Sequence, residues 1–94
     1  MFTTVNLADH PYAQCRVRQY TDGSIEFISY STTVIRITPS GWLHCFGTYS
    51  QTTRRQISWF LREYAPRIGY QTAKQMFRDH MVCNIHTGEV EPII

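Results

Sequence analysis

No stretch of this chain approaches the roughly 18 consecutive apolar residues of a membrane-spanning helix. Its first ten residues, Met-Phe-Thr-Thr-Val-Asn-Leu-Ala-Asp-His, have neither a charged start nor an apolar run, so a secretory leader is not expected. Cysteine is sparse and odd in number: Cys15, Cys45 and Cys83 form no close pair, which argues against a disulfide framework. Charge of one sign is also scarce. Nine Lys and Arg against seven Asp and Glu leave a net charge of +2, too little to imply nucleic-acid binding by composition. These absences predict a soluble protein of the reducing cytoplasm, its thiols serving as small apolar side chains.

Catalytic signatures are missing as well. The acids Asp9, Asp22, Glu26, Glu63, Asp79, Glu89 and Glu91 are scattered, the glycines form no phosphate-cradling loop, and no serine sits in a Gly-x-Ser-x-Gly elbow. Cys83 and His86 have a Cys-x2-His spacing, and His44 adjoins Cys45. Residues three apart, or adjacent, point to opposite faces of a strand, so neither pair can chelate a metal together. Nothing lowers the pKa of a particular thiol by placing a positive group beside it. The expectation is a protein that is not an enzyme, holds no metal and needs no cofactor.

What is present is enough for a core. Hydrophobic residues make up 43% and aromatics 14% of 94 residues, which fits a single domain over 1–94 and excludes disorder. Residues 1–13, interrupted by Pro11, read as an N-terminal arm or short turn. From Gln14 the period becomes two: Cys15, Val17 and Gln19 alternate with Arg16, Arg18 and Tyr20. Asp22-Gly23 then predicts a tight primed hairpin turn. A second strand over Ser24–Tyr30, a corner at Ser31-Thr32 and a third strand over Thr33–Thr38 follow, with Val34 facing away from Ile35. Pro39-Ser40-Gly41 is a turn into a fourth strand, Trp42–Gly47.

Two helices come next. The first starts between Ser50 and Thr53, and Thr53 with Gln56 has the spacing of a capping box; Ser50 with Thr53 is the alternative start. Ile57, Phe60, Leu61 and Tyr64 form its apolar stripe, and Pro66 and Gly69 end it. Thr72 with Gln75 suggests a second capping box, followed by the stripe Ala73, Met76, Phe77 and His80. Residues 81–86 could return as a strand, and Val90, Pro92, Ile93 and Ile94 form an apolar terminus that should pack. The expected fold is α+β: a four-stranded antiparallel meander covered on one face by two helices, with an extra C-terminal strand as an option.

One residue of the first helix breaks its own pattern. At about 100° per residue, Trp59 points some 160° away from Ile57, off the core stripe. Its neighbours there are Arg55 and Arg62, four residues back and three on. A large aromatic left outside the core forgoes roughly 2–3 kcal/mol of burial unless something covers it. A partner, a second copy of the chain or the N-terminal arm could do so. Arg55, Trp59 and Arg62 are therefore the candidate partner-binding residues. Arg54, Lys74 and Arg78 extend a basic run in which Glu63 is the sole acid before Asp79, and they are candidate contacts for an anion or nucleic acid.

The hydroxyl-rich segment Gly47-Thr48-Tyr49-Ser50-Gln51-Thr52-Thr53-Arg54-Arg55 runs into a helix start, which suits either capping or an anion site. With Ser29-Tyr30-Ser31-Thr32-Thr33-Val34 it resembles a class of small uncharacterised domains from phages and other mobile elements of bacteria. That class shares a Ser-Tyr-x-Thr strand corner, a Tyr-Ser-x-Thr-Thr helix start and a following apolar helix. The resemblance spans residues 23–64, with Gln56 where such domains often carry His. It implies a meander followed by a helix, a phage-type origin and a cytoplasmic setting in a host cell; it implies no activity. The function expected is a small binding protein that docks on another macromolecule through Arg55, Trp59 and Arg62, with a host defence protein as the partner the resemblance suggests. The rival class binds nucleic acid through its basic helical face.

Overall fold

The computed structural model describes residues 1–46 and 51–93. Among these residues, seven strands form one antiparallel sheet in strict chain order: β1 (Phe2–Val5), β2 (Cys15–Tyr20), β3 (Ile25–Ser29), β4 (Thr32–Ile37), β5 (Trp42–Cys45), β6 (Met81–Asn84) and β7 (Val90–Pro92). Helices α1 (Gln51–Tyr64) and α2 (Tyr70–Arg78) lie between β5 and β6 in sequence. The α+β meander with two helices on one face is as expected, but it has seven strands rather than four. Residues 2–5 of the arm are the edge strand β1, β6 is the optional strand expected over 81–86, and β7 is a further one. Positions 47–50 and 94 lie outside the described residues; these include the end of the expected fourth strand, the Ser50 cap and the first four residues of the hydroxyl-rich segment.

Alternation builds the core. Val17 pairs with Phe27, Phe27 with Ile35, Ile35 with Cys45, and Leu43 with both Ile37 and Cys83, so the inward side chains run across five strands. Ile57, Phe60 and Leu61 of α1 and Ala73 and Met76 of α2 cover them, with Phe27 and Phe60 stacked at 4.6 Å. In α2 the stripe stops short of expectation, because Phe77 and His80 are exposed. His80 turns into the left-handed region at φ 56° and breaks the helical phase before β6.

Three local expectations are corrected. The hairpin after β2 is a three-residue loop: Tyr20 N–H donates to the Ser24 carbonyl, and only Gly23, at φ 97°, is left-handed. A primed two-residue turn would require both central residues there. Between β3 and β4 a bulge at Phe27/Ile28 skips Val34 in the register, so Val34 and Ile35 both enter the core. Neither capping box forms. α1 begins at Gln51, which puts Thr53 and Gln56 inside the helix, and α2 begins at Tyr70 with Gly69 as its uncapped N-cap.

Candidate functional site

The outer face of α1 carries the residues that the core does not use. Arg54, Arg55, Arg62 and Glu63 are exposed, Ser58 is half-buried, and Ser58 Oγ donates to the Arg54 carbonyl one turn back at 3.2 Å. Trp59 is half-buried and packs against the margin of the core.

The arm provides its cover. Leu7 is buried at 1% exposure and pins the segment, which turns back on itself through His10 N–H to the Leu7 carbonyl. Ala8 N–H donates to Glu63 Oε1 at 2.9 Å across 55 residues of sequence. His10 then lies on the Trp59 indole, ring centroids 3.6 Å apart and planes 10° apart. One face of Trp59 is thus occupied by the chain itself. A cavity of about 140 Å³ remains beside it, bounded by Leu7, Asp9, His10, Trp59, Arg62 and Glu63.

Two shallower concavities, each about 270 Å³, flank the other side of α1. One lies between Arg54, Arg55, Ser58 and Tyr70; the other runs past Ser58 and Arg62 to Ile68 and Tyr70. The Arg54 guanidinium sits 5.4 Å from the centre of the Tyr70 ring. Trp59 and Arg62 therefore share a cleft, and Arg55 pairs with Arg54 in the neighbouring one. Lys74, half-buried, and Arg78, exposed, lie on α2 and line none of the three.

Beneath this face is a polar contact that the spacing had suggested as a cap. Ser29 Oγ donates to Gln56 Oε1 at 2.6 Å and lies 3.0 Å from Thr53 Oγ1, all three residues being buried. It ties the end of β3 to the first turns of α1. Ser29 opens the Ser-Tyr-x-Thr corner, so the two motifs of the sequence meet at this point. His10 and Tyr70 were not anticipated as site residues; the uncovered Trp59 was the signal for His10, and Tyr70 had none.

Two of the three thiols are quiet. Burial raises the pKa of Cys15 and Cys83, which keeps both protonated and unreactive. Among the described residues no three His, Cys, Asp or Glu side chains converge as metal ligands, and no helix is long and apolar enough to cross a membrane.

A seven-stranded meander backed by two helices, with an arm folded over α1, defines a small α+β protein. The chain belongs to a family of unknown function (DUF8033), whose pattern matches residues 7–77. That span starts at the buried Leu7, includes His10, Ser29, Gln56 and Trp59, and leaves out β1, β6 and β7. No curated protein and no solved structure matches the chain.

Proposed function

We propose that this is a non-enzymatic binding protein that docks onto another protein through the outer face of α1. The observation behind this reading is the clustering of an indole and three guanidinium groups on a helix face the core does not need. Trp59 and Arg62 edge one cleft, and Arg54 and Arg55 edge the next. Trp and Arg most often dominate interface energetics, and a docking protein needs no reactive group. His10 and the arm pre-order Trp59, so binding spends little entropy on fixing it.

The phage-type resemblance suggests the partner, a host protein met in the cytoplasm, whose activity the docked chain would block. Capture of partners from bacterial host lysate by wild type, Trp59→Ala and the Arg55→Ala/Arg62→Ala double variant tests this. Loss of the same partner with both variants is the expected result; retention by both removes the surface from consideration. A monomeric mass in solution would separate this reading from a homodimer closed over Trp59.

The second reading, nucleic acid bound on the helical side, draws on Arg54 over Tyr70 with Lys74 and Arg78 one and two turns further along α2. Salt-dependent binding that weakens in Arg54→Ala and Lys74→Ala would favour it.

A further inference from the structure

The opposite face of the sheet has a different chemistry. Side chains that alternate with the core residues point away from both helices: Phe2 and Thr4 on β1, Arg16, Arg18 and Tyr20 on β2, Glu26 and Ile28 on β3, Arg36 on β4, and Trp42 and His44 on β5. The register sets Arg18, Glu26, Arg36 and His44 in one row across four neighbouring strands. Phe2 and Tyr20 pack together at one side, centroids 5.3 Å apart, with the Arg18 guanidinium 4.8 Å above the Phe2 ring. His44 and Phe46 pack together at the other side, 4.4 Å apart. Three strand spacings, about 14 Å across the sheet, and an offset of two to four residues along it separate these two aromatic pairs.

Cations outnumber carboxylates on this face: Arg16, Arg18 and Arg36 stand against Glu26 and, on the far edge strand β7, Glu91. Glu26 is the one carboxylate at the outward positions of β1–β5 among the described residues, and the Tyr20 hydroxyl already donates to it. Arg16 and Arg36 are exposed, Arg18 is half-buried, and its Nε–H is buried with no hydrogen-bond partner among the described residues. Phe2 is 46% and Phe46 40% exposed. Cations set between flat exposed rings complement a ligand that alternates anions with flat rings.

We infer that the face formed by Phe2, Arg16, Arg18, Arg36 and Phe46 is a platform for single-stranded nucleic acid. Bases stack on the two aromatic pairs and the linking phosphates lie over Arg18 and Arg36. An open antiparallel sheet with exposed aromatics accommodates two or three bases in this way, and the fit depends little on sequence because every base has a π-face. An acidic protein segment would satisfy the arginines but leave the rings without flat partners. This surface lies on the far side of the sheet from α1 and does not depend on the docking role proposed for that helix.

The test is fluorescence anisotropy of labelled oligothymidine and oligouridine of about 12 nucleotides, with duplex of the same length as comparison, at low and near-physiological salt. Saturable binding to single strands is expected, stronger than to duplex. Phe2→Ala and Phe46→Ala should each weaken it about tenfold. Arg16→Ala and Arg36→Ala should each flatten the log-affinity against log-salt slope by about 0.7. The α1 variant Arg55→Ala/Arg62→Ala should bind as wild type does, and circular dichroism confirms that each variant is folded. The inference is overturned if single strands fail to saturate at about 100 µM protein in low salt, if folded Phe46→Ala and Arg36→Ala bind unchanged, or if the α1 variant alone loses binding. Oligonucleotide binding and partner capture are read separately, so failure of one leaves the other standing.

Discussion

His10 lies flat on Trp59, 3.6 Å between ring centroids, although the two are 49 positions apart in sequence. The stack joins the arm to α1 at the point where Glu63 also holds the Ala8 amide. His10→Ala should therefore loosen the arm and open one face of the indole to water. In a Trp42→Phe background, which leaves Trp59 as the lone tryptophan, the emission maximum should move to the red. Urea denaturation should show a loss of about 0.5–1.5 kcal/mol, the range for a stacked aromatic pair beyond its buried area.

The buried contact of Ser29 with Thr53 and Gln56 predicts an unequal response to two hydroxyl deletions. Ser29→Ala leaves a buried amide oxygen without its donor and should cost about 1–3 kcal/mol. Thr72→Ala, in the capping-box spacing that α2 does not use, should cost less than about 0.5 kcal/mol. Equal losses in chemical denaturation would contradict the placement of both residues.

Acid should weaken the hairpin between β2 and β3. Asp22 Oδ1 accepts from Ser24 Oγ at 2.6 Å and from Ser24 N–H at 2.8 Å, and these bonds hold its carboxyl below the usual range. The folded pKa lies under the unfolded value of about 3.9, so the carboxylate's contribution is present above that pH and disappears as pH falls through the folded pKa. The difference in urea midpoint between wild type and Asp22→Ala should be full at neutral pH and shrink as pH falls through the lowered folded pKa. A difference that grows with acid would reverse the assignment.

Gly41 meets two constraints at once. Its φ is 97°, and a Cβ there would stand 2.6 Å from His86 Cδ2. Gly41→Ala should destabilise the fold by more than about 1 kcal/mol, since left-handed strain alone costs about 1–2. Adding His86→Ala should recover the steric part and leave the strain. Thermal melts of the two variants separate the contributions.

Much of the fold was legible because alternation and helical periodicity are local. Cys15 to Tyr20, Ile25 to Ser29 and the Ile57, Phe60, Leu61 stripe state their faces within a few residues. β1 and β7 do not, because edge strands with exposed side chains on both faces show no contrast between inside and outside. Thr53 and Gln56 illustrate a different limit. A spacing of three reads equally as a cap or as one side of a helix facing β3, and the choice turns on where the helix begins. Val34 entered the core through a bulge, which no alternation can announce. The pattern placed Trp59 off the core stripe, but its covering ring is supplied by tertiary folding from a segment with no periodicity.

Strict chain order in the sheet also shapes how the molecule reaches it. Every strand from β2 to β5 can zip onto its predecessor without an intervening helix, a sequence of local steps with little loop entropy to overcome. Pairing β5 with β6 is different, because Leu43 must find Cys83 with both helices between them. Loop-closure entropy predicts that this pairing is the slow step of folding. Mutations in α1 and α2 that weaken their hold on the sheet should therefore retard refolding more than equal losses at the β1–β2 edge.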